Sequence, residues 1–255
     1  MPATLELIPL ADFPLVEPGQ NVAELIVTSL EKNDLLLKDG DVLIVAQKIV
    51  SKAESRYVHL SDVVPSPEAL ILAEQADKDP RQMELVLRES KEVVKVRPGV
   101  VIVEHRNGYV HANAGIDKSN IPMPGGAPQV LLLPENPDAS AQALLETLSR
   151  YSGIPVKVII NDSFGRAWRN GTVGVAIGTA GFQPLFNQVG EKDLYGNVLE
   201  VTESAVADEL AAAASLVMGQ AAEACPVVLA RGVKLQAAET GSRSLIRDKA
   251  QDMFR

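Results

Sequence analysis

Two aspartates, Asp117 and Asp162, each follow a run rich in β-branched residues. The runs are Val110-His111-Ala112-Asn113-Ala114-Gly115-Ile116-Asp117-Lys118-Ser119-Asn120 and Val156-Lys157-Val158-Ile159-Ile160-Asn161-Asp162-Ser163-Phe164-Gly165-Arg166. Such runs form strands, and the switch to polar residues predicts that both strands end at the aspartates. Two carboxylates brought from strand ends into one cleft suit a divalent cation holding a phosphate. Mg²⁺ takes one or two carboxylates together with phosphate oxygens and water, not an all-protein cage. The same aspartates could instead only cap a turn or a helix start. Arg166 follows closely enough to reach a phosphate or a carboxylate, or to form an ordinary ion pair.

Other reactive residues are sparse. The single cysteine, Cys225, excludes an intrachain disulfide, fits a reducing compartment, and before Pro226 reads as a small buried hydrophobe and a poor nucleophile. The three histidines lack metal-ligand spacing. His105 and His111 flank Asn107-Gly108, a dipeptide that closes two-residue hairpins. That register sets His111 across from Glu104 and gives it a structural role.

Elements must position these groups. Asp39-Gly40-Asp41 reads as a turn before a buried strand, Val42 to Ala46, and Glu68 to Glu92 has the apolar spacing of a helix. A hairpin follows from Val100 to Ala112. Pro122, Pro124, Gly125, Gly126 and Pro128 punctuate a loop, and Pro137 opens a helix to about Tyr151. The stretch 122–140 is the expected boundary between two lobes of a single unit spanning 1–255. Val173 to Gly181 is a small-residue strand without the Gly-Lys-Ser/Thr ending of a P-loop, and predicts close backbone packing. Thr202 to Met218 reads as an alanine-rich helix with Glu203, Asp208 and Glu209 in its early turns and a stop at Gly219-Gln220. Strands mixed with helices indicate a mixed α/β or α+β fold.

With 24 basic and 33 acidic side chains the formal charge is −9, spread along the chain, which speaks against coating nucleic acid. The longest apolar runs, such as Val42 to Ala46, are broken well short of a membrane span, here by Gln47 and Lys48. No basic region followed by an apolar stretch opens the chain. The expectation is a soluble, cytoplasmic protein.

Several strings occur in a telling order: Phe13-Pro14-Leu15-Val16, Asp39-Gly40-Asp41-Val42 leading to Ser51-Lys52-Ala53-Glu54, Asn113-Ala114-Gly115-Ile116-Asp117-Lys118-Ser119-Asn120, Asp162-Ser163-Phe164-Gly165-Arg166, Lys192-Asp193-Leu194-Tyr195-Gly196, and Met218-Gly219. Together they resemble the coenzyme F420-0:L-glutamate ligases, the gamma-glutamyl ligases of F420 biosynthesis, over about Leu7 to Gly232. The resemblance implies a two-lobed mixed α/β enzyme, a homodimer, that couples hydrolysis of GTP to amide formation between a deazaflavin F420 precursor and L-glutamate. It implies Mg²⁺ or Mn²⁺, two ions, and leaves a monovalent ion such as K⁺ open. By matching motif, Asp117 and Asp162 would ligate one cation, with Ser163 and Gln220 on a second. GTP would touch Phe13, Pro14, Leu15, Val16, Gln47, Lys48, Lys52 and Asn120. It would also touch the turn Met218, Gly219, Gln220, Ala221, Ala222, Glu223, Ala224 and Cys225. Taken alone, Lys52 reads as a solvated surface lysine.

The chain departs from the pattern at three places. Ser55 stands where glycine is expected, Ser163 where threonine is common, and Gln220 where some members carry glutamate, a charged ligand that hard cations prefer. Because the chain ends at Arg255, the flavin-binding domain that some relatives add is not expected. No general base for the glutamate amine is assigned. Two rivals use the same aspartates: a non-catalytic metal and nucleotide binding module, and a metal-dependent phosphatase with water as the nucleophile.

Overall fold

The computed structural model describes residues 4–254. Its framework is a five-stranded sheet in the order β1-β12-β2-β8-β9, built from β1 (Glu6–Pro9), β2 (Val42–Ala46), β8 (Lys157–Arg166), β9 (Arg169–Ala180) and β12 (Val227–Arg231). Only the β2–β8 pair is parallel, with Val42 opposite Lys157 and Ala46 opposite Asn161. Val42 to Val45 are wholly buried, as expected of a strand covered on both faces. The strand period of two splits their side chains. Leu43, Val45, Val158 and Ile160 pack with α1 (Val22–Lys32) and α5 (Pro137–Ser152). Val42, Ile44 and Ile159 pack with α6 (Val206–Met218).

The small residues of β9 explain how closely the helices approach. A Cβ on Gly174 would stand 2.3 Å from the Ala211 carbonyl oxygen of α6, and one on Gly178 would stand 2.4 Å from that of Pro137. Between Ile160 and Asn161 the β8–β9 register slips. The Ile177 carbonyl at that slip is capped by the hydroxyls of Tyr109 and Ser242, so the bulge leaves no orphaned acceptor there.

A second core lies under α3 (Pro67–Ala76), α4 (Pro80–Arg88) and the three-stranded sheet of β4 (Ser90–Arg97), β5 (Val100–His105) and β6 (Val110–Ala112). Beside it β3 (Tyr57–His59) pairs antiparallel with β7 (Gln129–Leu131), which follows directly on the loop punctuated by Pro122 to Pro128. A short ribbon, β10 (Phe186–Asn187) with β11 (Glu203–Ser204), precedes α6. α2 (Gln47–Ala53) starts at the residue after β2.

Several expectations are corrected. The single helix over Glu68–Glu92 is two helices and the start of a strand. Asp77 turns left-handed at the end of α3 (φ 51°), Asp79 caps α4 with Pro80 in its first turn, and Ser90 already belongs to β4. The hairpin turn holds one residue more than a two-residue loop, since the His105 amide bonds the Tyr109 carbonyl. That slip places His111 opposite Val103 and Glu104 opposite Val110. It moves His111 into the core, where it is 5 % exposed. α6 starts at Val206, and Glu203 lies in β11. Finally, β8 does not stop at Asp162 but runs on to Arg166.

Candidate active site

The parallel pair β2–β8 delivers its C-terminal ends to one place, where Gln47 opens α2 and Asp162 stands one residue beyond Asn161. Asn161 turns toward α6 and donates to the Ser215 hydroxyl at 2.9 Å. Asp162, on the opposite side of the strand, faces α2. Asp117 arrives by another route. Asn113, Ala114 and Gly115 have φ of 52°, 53° and 64°, a left-handed run that turns the chain abruptly after β6. Two backbone bonds with Leu131, at 2.9 and 3.0 Å, then hold Asp117 against β7.

The two carboxylates meet around α2. The Gln47 carboxamide donates to Asp117 Oδ2 at 2.7 Å, and its own oxygen accepts from the buried Ser51 hydroxyl one turn later at 2.9 Å. This acceptance fixes which way the amide points, so that its N–H groups face the carboxylates. Lys48 Nζ stands 3.0 Å from Asp117 Oδ1 and donates to the Ser119 carbonyl at 3.1 Å. The Asp162 carboxyl is pushed up to about 7 by burial and then by the negative charge of Asp117, against the Ser163 amide, Lys48 and Gln47. Lys52, one turn past Lys48, is half-buried and, among the described residues, has no ion-pair partner. Burial and the neighbouring Lys48 hold its pKa below the usual lysine value, while Asp117 opposes them.

These groups line a cleft of about 1210 Å³. Around it stand the residues expected to touch cation or nucleotide: Phe13 to Val16, Gln47, Lys48, Lys52, Asp117, Asn120, Asp162, Ser163 and the turn Met218 to Cys225. Asn120 donates to the Ala221 carbonyl at 2.8 Å and closes the cleft between its own loop and that turn. Ser163 Oγ donates to Gln220 Oε1 at 3.0 Å. Cys225 is half-buried, packed against the core under α6 and lining the cleft, and burial raises its thiol pKa. Arg166 stays outside the cleft, since it closes the exposed β8–β9 hairpin by donating to the Gly171 carbonyl at 3.1 Å. The Lys192 to Gly196 string is an exposed turn, with Leu194 100 % exposed.

Sequence reasoning gave no role to Ser51, which holds Gln47, and missed the β3 residues Tyr57 and His59 on the cleft. The i,i+4 spacing of Gln47 with Ser51, and of Lys48 with Lys52, was the available signal for a helix presenting this face.

The donor set suits a hard divalent cation. Two carboxylates repel each other, offset in part by Lys48, Lys52 and the amides of Gln47 and Ser163, and the Ser163 hydroxyl and Gln220 carbonyl oxygens line the same cleft. Among the described residues no group of three or more His, Cys, Asp or Glu forms a closed protein cage.

Fold and cleft together define a class: a mixed α+β protein that gathers paired carboxylates, lysines and a glycine-ended helix around one large polar cleft. Residues 11–232 match the family model F420-0:Gamma-glutamyl ligase, and the chain belongs to that family. It is 46% identical over 253 residues to the Coenzyme F420:L-glutamate ligase of Methanothermobacter thermautotrophicus, covering 98% of this chain and 99% of that one. It is 46% identical over 256 residues to the Methanopyrus kandleri protein of the same name, covering 99% and 98%. With that of Methanocaldococcus jannaschii it shares 40% identity over 246 residues, covering 96% and 94%. Among the described residues no helix is long and apolar enough to cross a membrane.

Proposed function

We infer that the chain is a coenzyme F420:L-glutamate ligase that spends GTP through an acyl phosphate. The observation that carries this reading is the half-buried, mutually repelling pair Asp117–Asp162 beside Lys48 and Lys52, in a cleft of a chain from this family. Asp117 and Asp162 would hold one Mg²⁺ or Mn²⁺, with Ser163 and Gln220 serving a second. When bound, such cations neutralise charge on a phosphoryl group in transit. Gln47, held by Ser51, orients Asp117. Lys48 and Lys52 supply point charges for nucleotide phosphates. The turn 218–225, in which Gly219 and Ala224 take φ of 73° and 52°, offers backbone N–H groups to an anion.

An oxygen of the acceptor carboxylate attacks the γ-phosphorus and GDP leaves. The glutamate amine then adds to the acyl carbon, loses a proton and expels phosphate. A second copy of the chain would cover exposed apolar groups such as Leu194, Tyr195 and Val201. The cytoplasm, where GTP and glutamate are abundant, is the compartment this reading requires.

The test uses purified protein with GTP, Mn²⁺, glutamate and a deazaflavin acceptor carrying oxygen-18 in its carboxylate. One labelled oxygen should appear in the released phosphate, and GDP, phosphate and glutamylated product should form in equal amounts. Product without label transfer would remove the acyl phosphate. GTP hydrolysis indifferent to glutamate and acceptor would establish a phosphatase, and GTP binding without any turnover a binding module.

A further inference from the structure

One wall of the cleft serves neither the cations nor the nucleotide. Ligand pockets commonly enclose about 300–1,000 Å³, and this one encloses about 1210 Å³, room for more than a nucleotide. Phe13 to Val16, α2 and the 218–225 turn make up the part attributed to cations and nucleotide. Of what remains, Glu17 and Pro18 continue the segment of Phe13 to Val16, and Tyr57, His59, Ile121, Pro122 and Gln129 form a wall of their own.

This wall is built by strand geometry. In the β3–β7 pair His59 stands opposite Gln129, and Val58 packs on the second core. Tyr57 and His59, two residues apart, therefore share the side that faces the cleft. Among the described residues neither the Tyr57 hydroxyl nor the His59 ring has a hydrogen-bond partner, and both side chains are half-buried. Burial raises the pKa of Tyr57, so its phenol stays a donor at neutral pH. Gln129 donates its amide to the Pro122 carbonyl, which ties the strand to the loop.

We propose that Tyr57 and His59 form the seat of the planar deazaflavin acceptor, a specificity wall separate from the nucleotide's. This rests on the ligase reading. Flat aromatic and proline surfaces with polar tips suit a conjugated ring that carries hydrogen-bonding edges. A zwitterionic amino acid needs counter-charges, and none of the five wall residues is an acid, a lysine or an arginine. In-line transfer also requires the attacking carboxylate to approach phosphorus from the side away from the departing GDP, so acceptor and nucleotide cannot share a wall.

Tyr57→Ala and His59→Ala should each raise the apparent KM for the deazaflavin acceptor about tenfold, the equivalent of one lost contact, while the KM values for GTP and glutamate stay within about twofold. Direct titration of the acceptor's fluorescence against each protein, without GTP, should show the same weakening. Tyr57→Phe and His59→Gln keep the packing, guard against misfolding, and should give smaller shifts in the same direction. A rise in the GTP KM would place the nucleotide base on this wall, a rise in the glutamate KM would place the amino acid there, and unchanged constants would leave the wall idle. Each of those results overturns the proposal. A wild-type protein that glutamylates no deazaflavin would overturn the ligase reading instead, before any variant is compared.

Discussion

Asp117 and Asp162 reach one cleft by opposite means. Asp162 rides in the middle of β8, a strand paired with β9 along its length and with β2 as far as Asn161, with slips of register at Ile160/Asn161 and Gly165/Arg166. Asp117 comes at the end of three left-handed residues and is pinned by a two-way bridge to Leu131. Between the two routes lies a ring cluster. His111, four residues before Gly115, stands 4.5 Å centroid to centroid from Phe164, two residues after Asp162, and Tyr109 stands 6.2 Å from the same phenylalanine. A site can thus join a carboxylate carried by a sheet strand to one carried by a left-handed bend, provided side chains lock the two together.

The largest effect should fall equally on both routes. Asp117→Asn and Asp162→Asn should each abolish metal-dependent turnover, a loss of several kcal/mol of transition-state stabilisation, while circular dichroism shows an intact fold. Asp162→Asn should in addition raise the melting temperature at pH 8, because it removes a carboxylate that burial and Asp117 hold in an unfavourable ionised state there. Full activity in either variant would end the idea of a shared cation.

The next substitution pair separates the routes. A Cβ on Gly115 would stand 2.7 Å from His111 Cε1 and 2.9 Å from Leu133, at a φ of 64°, whereas a Cβ on Gly165 of β8 would meet nothing within 4 Å. Gly115→Ala should cost about 2–3 kcal/mol in chemical denaturation, and Gly165→Ala less than about 0.5 kcal/mol. Equal losses would show that the contorted route is no more demanding than the regular one.

Acid tests the ring cluster. Burial, and then His105, push the His111 pKa from 6.5 down to about 3. Between those values the unfolded chain holds a proton that the folded chain refuses. The stability is therefore complete above pH 6.5 and declines as the pH falls toward 3, with a slope approaching about 1.4 kcal/mol per pH unit. His111→Phe should flatten that part of the curve of melting temperature against pH, and parallel curves for the two proteins would remove His111 from the account. The smallest effect concerns α2. Ser55 sits at φ 58° with its own amide bonded to Lys52 and the Arg56 amide bonded to Ser51, the helix-ending pattern that favours glycine. Ser55→Gly should stabilise the protein by about 0.5 kcal/mol and leave turnover unchanged.

Local residue pattern alone makes β2, α5 and the close packing at Gly174 and Gly178 legible. The break inside Glu68–Glu92 is also signalled locally, by Asp79-Pro80, but the apolar spacing on either side outweighs it. The hairpin register is not legible, because Asn107-Gly108 fits both a two-residue loop and a longer one, and only burial of His105 and His111 selects between them. The cleft residues can be named from motif strings, yet their partners cannot. That the Gln47 amide meets Asp117, and that Asn120 meets the Ala221 carbonyl, depend on contacts that form only when distant segments assemble.

The left-handed run at Asn113-Ala114-Gly115 bears on how such strings should be read. Few amino acids tolerate that backbone, and at 115 a Cβ would force His111 or Leu133 to shift. If codons 113–115 were fully randomised and active clones sequenced, position 115 should return only glycine and position 113 mainly asparagine, aspartate or glycine. Part of what looks like a chemical fingerprint would then be the imprint of a bend, written in residues that need never meet a substrate.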